Sequence, residues 1–153
     1  MAGVRRLNHA VLYVRDSART AAFYCDALGF EIVHEFPGAA FLRSSGSPND
    51  HDLGLFSIGP DAPARPRGLG LYHLAWQVDA ITDLAEIRET LLRLGGLVGE
   101  SDHGVTKSLY GKDPDGNEFE VMWMVPREQW GEMEHEAITQ RLDLAAELAK
   151  HSS

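Results

Sequence analysis

Two stretches of the chain repeat one pattern, and this repeat limits the folds that the sequence can adopt. The segments 7–16 and 71–79 both place Leu two residues before a histidine and Val five residues after it. Both segments are rich in β-branched and aromatic residues, which is typical of strands. The matched histidines are His9 and His73. We therefore expect two related modules, each opening on a strand.

A helical pattern follows each of these strands. In the first half Ser17 is a plausible N-cap and Gly29 ends the helix. In the second half Thr82 or Asp83 can cap the helix, and Gly95 begins its exit. Three short strands are expected after each helix: 30–36, 39–44 and 52–58, then 97–101, 105–110 and 118–125. The sequence thus predicts an α+β fold of two tandem βαβββ modules.

The two modules, about residues 4–58 and 69–125, are expected to form a single domain over 1–125. Each half alone is too small to bury a sufficient core. The connection 59–68 holds three prolines and two glycines, so we expect a loop there.

The tail 126–153 has apolar residues at a spacing of three to four, which predicts a C-terminal amphipathic helix. These residues are Trp130, Met133, Ala137, Ile138, Leu142, Ala145 and Leu148. We expect this stripe to pack on the parent domain or on a second subunit. The chain is therefore expected to form a homo-oligomer.

Composition and charge exclude several classes of partner. The chain has 23 acidic and 14 basic residues, a net charge of −9 and no run of Lys and Arg, so nucleic acid is not expected. No apolar run approaches about 20 residues and no signal-peptide pattern opens the chain, so a cytoplasmic protein without a membrane partner is expected. Cys25 is the only cysteine, which excludes a disulfide framework and a cysteine-rich zinc site. We interpret it as a small core residue.

The repeated histidines are candidate metal ligands. If a pseudo-two-fold axis relates the modules, the side chains of His9 and His73 can converge on one point. Glu120 alternates with apolar residues in the last strand, where a carboxylate costs several kcal/mol unless it is paired or metal-bound. Two imidazoles and one carboxylate form the facial triad of non-haem Fe(II) oxygenases. Hydrogen-bonded strand histidines and a buried salt bridge at Glu120 are the alternatives.

Together with the turn 113–117, these features resemble the vicinal oxygen chelate superfamily of glyoxalases, bleomycin-resistance proteins and extradiol dioxygenases. The resemblance spans about residues 6–125 and implies curved sheets that enclose a metal site. Glyoxalase I type enzymes take a fourth ligand near the position of Gly54 or Leu55, and neither side chain can ligate. Bleomycin-resistance proteins mostly lack a metal triad. The chain is therefore most similar to a small one-domain extradiol ring-cleavage dioxygenase.

The extradiol resemblance implies roles for His51, Tyr110 and His103. His51 would stabilise bound oxygen and supply a proton, a role for which histidine is the usual residue type. Tyr110, ten residues before Glu120, and His103 would hydrogen-bond the substrate oxygens. The implied cofactor is Fe(II), with Mn(II) or another divalent metal as the alternative. The implied substrates are a catechol-like aromatic diol and O2.

Other interpretations stay open. His51 and His103 could be loop residues, and Tyr110 could be a core aromatic. The chain could instead be an isomerase, epimerase or lyase that uses another metal, or a non-catalytic protein that binds an aromatic compound. Oxygen consumption separates the first of these, and metal content the second. The remaining histidines are interpreted as surface residues: His34, His135 and His151.

Overall fold

Each half of the chain folds as one strand, one helix and three further strands, which confirms the predicted βαβββ modules. The structure is a computed structural model that describes residues 2–151. It divides into two units between Pro66 and Arg67, inside the predicted loop 59–68. That both modules belong to a single domain stays a prediction.

The first unit contains a four-stranded mixed sheet and one helix. Its elements are β1 (Ala10–Val14), α1 (Ser17–Leu28), β2 (Glu31–Phe36), β3 (Ala39–Arg43) and β4 (Leu53–Ser57). The strand order is β1-β4-β3-β2, with β1 parallel to β4 and the other pairs antiparallel. The parallel pair requires a crossover, and α1 lies within it.

The second unit repeats this topology. Its strands and first helix are β5 (Leu74–Val78), α2 (Ile81–Leu94), β6 (Leu97–Asp102), β7 (Thr106–Lys112) and β8 (Glu118–Met124). The strand order is β5-β8-β7-β6, and β5 is parallel to β8. The repeat visible in the sequence is therefore a repeat of strand order and direction.

Alternation along β8 separates the core from the candidate chemistry. Phe119 and Val121 are buried, and α2 packs on this sheet with Leu84 and Leu91 buried in its inner face. Because successive side chains of a strand point to opposite faces, Glu120 lies on the other face of the sheet. It is half-buried there.

The N-cap of helix α1 is Asp16 and not the predicted Ser17. Asp16 has an extended backbone, and its carboxylate accepts from Arg19 N at 3.1 Å. The Ser17 side chain is used otherwise, since it accepts a hydrogen bond from Ser57 Oγ at 2.9 Å. The predicted end is confirmed, because Gly29 has a φ of +68° in the left-handed exit conformation.

The N-cap of helix α2 lies two to three residues before the predicted caps. Ala80 is the N-cap, so the predictions of Thr82 and Asp83 at this position are wrong. Asp83 instead reaches back from inside the first turn, and its carboxylate accepts from Ala80 N at 3.1 Å. Gly95, with a φ of +69°, ends the helix as predicted.

The C-terminal tail is only partly helical, so the prediction of a helix over 126–153 is wrong in its extent. It contains two 3₁₀ turns, Arg127–Gln129 and Gly131–His135, an extended stretch, and helix α3 (Leu144–His151). The stretch is extended because Gln140 forms an antiparallel β-bridge with Asp102 at the end of β6. A backbone paired in this way cannot also make helical hydrogen bonds.

His151 is half-buried with its ring 4.9 Å from that of Trp123, so its interpretation as a surface residue is wrong. Cys25 is half-buried, and burial raises the pKa of its thiol, with Asp26 and Glu35 adding to the effect. Over residues 2–151, no helix is long and apolar enough to span a bilayer.

Candidate functional site

The second unit brings His73 and Glu120 into contact. His73 directly precedes β5, and Glu120 lies in the middle of its parallel neighbour β8. His73 Nε2 is 3.0 Å from Glu120 Oε2, and the side chains are 24% and 14% exposed. Two ligand atoms at right angles about one ion, each about 2.1 Å from it, lie about 3.0 Å apart. The observed separation therefore suits neighbouring ligands of a divalent metal.

The imidazole of His73 makes its polar contact on one side only. Its Nδ1 is buried and has no hydrogen-bond partner among residues 2–151. The ring of Tyr72 lies 4.8 Å away, centroid to centroid. The imidazole is thus held by packing and by its contact with Glu120. This imidazole and carboxylate donor set is one that Fe(II), Mn(II), Co(II) and Zn(II) accept.

Tyr110 and His103 extend this cluster along β7. Tyr110 pairs with Glu120 in the strand register, and its ring centroid lies 5.9 Å from that of His73. Its hydroxyl is 2.9 Å from His103 Nε2, while His103 Nδ1 is 3.1 Å from the carbonyl oxygen of Ile138. Burial raises the pKa of the Tyr110 hydroxyl, and the Glu120 carboxylate raises it further, so the phenol keeps its proton at neutral pH.

The first unit brings the other two predicted residues together. The rings of His9 and His51 lie 4.6 Å apart, and Phe41 packs edge-on against His51 at 5.0 Å. His9 Nδ1 is 2.9 Å from Asn8 Oδ1, and His51 Nδ1 is 2.9 Å from Asp50 Oδ2. The hydrogen bond from His51 lowers the pKa of Asp50. Both imidazoles therefore have one nitrogen engaged by a side-chain oxygen.

Strand register identifies the counterpart of Glu120 in the first unit. Gly54 lies opposite Phe41, as Glu120 lies opposite Tyr110. The equivalent position is therefore Gly54 and not Leu55. With no side chain, it cannot supply the fourth ligand that a glyoxalase I type site would need.

Neither unit by itself, over residues 2–151, gathers three His, Cys, Asp or Glu side chains around one point. Two of the three predicted ligands, His73 and Glu120, lie in the second unit, and His9 lies in the first. The spacing of His73 and Glu120 in the second unit thus suits two neighbouring ligands of a metal ion. The complete triad stays a prediction.

Sequence reasoning missed several residues of these clusters. Phe41 could have been found, because alignment of the repeats places it at the position of Tyr110. Asn8 and Tyr72 precede the repeated histidines and could have been found in the same way. The contact of Ile138 had no signal, because a backbone carbonyl leaves no mark in side-chain identity.

The chain is similar to known proteins over most of its length. Residues 6–121 match the model of the Glyoxalase/Bleomycin resistance protein/Dioxygenase superfamily. The chain is 31% identical over 126 residues to catechol-2,3-dioxygenase of Bacillus subtilis (strain 168). It is 36% identical over 120 residues to biphenyl-2,3-diol 1,2-dioxygenase 3 of Rhodococcus globerulus.

These two matches cover 81% and 76% of this chain, but 43% and 62% of the relatives. The chain thus spans about half the length of the curated relatives it matches. Among solved structures, a glyoxylase/bleomycin resistance protein/dioxygenase domain from Frankia sp. EAN1pec superposes with a TM-score of 0.64 at 20% identity. That match covers 80% of this chain and 100% of the other, and it shows a shared fold.

Proposed function

Because the chain belongs to the Glyoxalase/Bleomycin resistance protein/Dioxygenase superfamily, we propose that it is an Fe(II)-dependent extradiol dioxygenase. It opens the ring of a catechol-like aromatic diol with O2. The observation that carries this function is the 3.0 Å contact between His73 Nε2 and Glu120 Oε2, with Tyr110 across from Glu120. Relatives named as dioxygenases of catechol and of biphenyl-2,3-diol support the substrate class.

His73, Glu120 and His9 are the proposed metal ligands. His9 is included because it holds the position of His73 in the repeat, directly before the first strand of its unit. When bound by these residues, Fe(II) would supply electron transfer between a diol and O2. Mn(II) or another divalent ion suits the same donors.

His51 is the proposed proton donor and acceptor. Asp50 accepts a hydrogen bond from His51 Nδ1, which leaves Nε2 to exchange a proton with a reacting oxygen. The aromatic ring of Phe41 packs against the imidazole and restricts its orientation. Histidine side chains in general are suited to act as both acid and base.

Tyr110 and His103 are proposed to orient the substrate oxygens. Their hydrogen bond of 2.9 Å fixes the Tyr110 hydroxyl on the face of the sheet that carries Glu120. A phenol that keeps its proton contributes hydrogen bonds without adding a negative charge near Glu120. The overall reaction breaks one ring C–C bond and places both atoms of O2 in the product, so it needs no added reductant.

Oxygen uptake by anaerobically purified protein tests this function. The protein is analysed for metal, loaded with Fe(II), and assayed with catechol and 2,3-dihydroxybiphenyl. We expect uptake of one O2 per diol and loss of both iron and uptake in Glu120→Gln. Glu118→Gln is the matched control, because Glu118 lies on the same strand and pairs with Lys112 at 3.2 Å. It should keep both.

The same assays detect the two rival functions. Turnover of a substrate without oxygen would indicate a metal-dependent isomerase or lyase. Protein that binds aromatic diols without any metal, and binds them equally well after Glu120→Gln, would be a non-catalytic binding protein. Either result would overturn the ring-cleavage function.

A further inference from the structure

The extended part of the C-terminal tail is fastened to the strand end beside His103. Gln140 N donates to Asp102 O at 3.0 Å, and Asp102 N donates to Gln140 O at 2.9 Å. The Gln140 side chain adds a bond from Nε2 to Asp102 Oδ2 at 3.1 Å. We call residues 138–140 the strap. The strap holds the Ile138 carbonyl oxygen 3.1 Å from His103 Nδ1.

The Ile138 carbonyl favours a proton on Nδ1 of His103, since it lies at 3.1 Å and the Thr139 hydroxyl, which could donate to the same nitrogen, is farther away at 3.4 Å. A carbonyl oxygen can only accept a hydrogen bond, so Nδ1 must be protonated to bind it. The Nε2 of a neutral imidazole then has a lone pair, and it accepts from the Tyr110 hydroxyl at 2.9 Å. The two hydrogen bonds therefore have the same direction: Tyr110 donates to His103, and His103 donates to the carbonyl oxygen of Ile138 in the strap.

The residues beneath the strap are arranged to hold it close. Gly104 has a φ of +75°, and a Cβ at this position would lie 2.8 Å from Ile138 Cδ1. Gly104 N donates to Asp102 Oδ1 at 2.8 Å, and Lys107 Nζ donates to the same oxygen at 2.6 Å. Asp102 and Lys107 are both buried. The strap thus rests on a glycine and on a carboxylate that is bonded on several sides.

We infer that the strap positions Tyr110 through His103, so that the Tyr110 oxygen accepts a hydrogen bond from a ligand hydroxyl. Because the hydroxyl proton of Tyr110 is donated to His103, the Tyr110 oxygen can only accept a hydrogen bond from a ligand. Without the strap, His103 could carry its proton on Nε2 and donate to Tyr110, which would turn Tyr110 into a donor. This role rests on the proposed function, since a catechol supplies the hydroxyl.

The tautomer of His103 is the direct test. Long-range ¹H–¹⁵N correlation spectra of the full chain, free of metal and substrate, distinguish a protonated Nδ1 from a protonated Nε2. We expect the Nδ1–H form for His103. A His103 that is mainly protonated on Nε2 would overturn the inference.

Two variants at one position test whether the strap sets this tautomer. Gln140→Pro removes the backbone N–H that bonds to Asp102, whereas Gln140→Ala keeps both backbone bonds. We expect Gln140→Pro to give a mixture of tautomers and Gln140→Ala to keep Nδ1–H. An unchanged tautomer in Gln140→Pro would overturn the inference. If that variant does not fold, Gly104→Ala strains the backbone beneath the strap, because φ is +75° there and the new Cβ would lie 2.8 Å from Ile138 Cδ1. It carries the same expectation.

Kinetics connect the strap to the reaction and separate the two hypotheses. In oxygen-uptake assays Gln140→Pro should lower kcat about tenfold with an unchanged iron content. Wild-type kcat together with a changed tautomer would overturn the positioning role. Absence of ring cleavage in the wild-type protein, with the Nδ1–H form intact, would overturn the proposed function and still support the effect of the strap on His103.

Discussion

Tyr110 of β7 lies directly opposite Glu120 of β8 in the antiparallel register of the second sheet. The same register position of the first sheet is occupied by Phe41 and Gly54. One topology therefore carries a polar pair in one unit and an apolar pair in the other. In the first unit the ring of Phe41 packs against His51, whereas the second unit carries the carboxylate of Glu120. The duplicated modules therefore differ in chemistry at equivalent positions of the register.

Replacing Tyr110 by Phe should separate folding from activity, because Phe already occupies the equivalent position of the first sheet. The variant loses the hydrogen bond to His103, so we expect the free energy of unfolding to fall by about 1 kcal/mol. Its kcat for catechol should fall at least about tenfold, since the substrate oxygens lose one partner. Urea denaturation and oxygen uptake measure the two effects. Wild-type turnover would contradict the orienting role.

Replacing His51 by Ala should leave iron bound and lower kcat by about 100-fold or more, because a proton donor and acceptor is lost. His34→Ala is the matched control. His34 also lies near Asp50, at 4.0 Å, but its side chain is 64% exposed. Iron content and oxygen uptake are measured on both variants. Equal turnover in His51→Ala and His34→Ala would show that His51 has no part in proton transfer.

The repeat made the modules predictable, because strand periodicity and glycine-terminated helices are local signals. Gly29 and Gly95 ended the helices as predicted, since only a residue tolerant of positive φ suits the exit. The helix starts were less predictable. Ser17 and Asp83 both have side chains that can cap a helix. Ser17 bonds to Ser57 instead, and Asp83 lies three residues after the N-cap Ala80.

The repeat predicted which candidate residues lie on strands, but contacts outside the repeat could not be predicted from it. His73 and Glu120 were chosen from separate segments, and parallel pairing of β5 with β8 brings them together. The helix predicted for the tail was too long because the apolar spacing suits a helix throughout. The backbone of Gln140 instead forms a β-bridge with Asp102. Such long-range backbone pairing depends on the partner strand and leaves no periodic signal in the tail itself.

Lys107 should be essential for stability. Its Nζ lies 2.6 Å from Asp102 Oδ1 and 3.7 Å from Glu147 Oε2, and all three side chains are at most 10% exposed. Lys107→Met leaves the buried carboxylate of Asp102 without its cation, whereas Glu147 keeps Lys150 at 2.9 Å. We expect a loss of about 3–5 kcal/mol in the free energy of unfolding, because an unpaired buried charge is strongly destabilising.

Lys112→Met is the matched control for Lys107, because it lies on the same strand. Lys112 pairs with Glu118 at 3.2 Å, but its side chain is 46% exposed, so the loss should be about 1 kcal/mol or less. Both free energies come from urea denaturation. Equal losses would show that the cluster around Lys107 is not a buried ion-pair network.

Asp113 should give the protein a distinct pH dependence. Burial raises the pKa of its carboxyl above the ordinary 3.8, although Asn117 and the Asp115 N–H donate to it. In the window between 3.8 and the raised value the folded state binds more protons than the unfolded state, so stability falls as pH rises. Asp113→Asn should lose this slope. Parallel curves of unfolding free energy against pH for the two proteins would contradict it.

A side chain at Gly111 should destabilise the protein, because Phe119 occupies the space beside this glycine. A Cβ at Gly111 would lie 2.3 Å from Phe119 Cζ, and Phe119 is buried. Gly111→Ala must displace this ring, so we expect a loss of about 1–3 kcal/mol in the free energy of unfolding. Gly99 of β6 is the control, since its nearest neighbour would be Tyr110 at 3.6 Å, an ordinary contact. If Gly99→Ala and Gly111→Ala unfold at the same urea concentration, packing of Phe119 does not require the glycine.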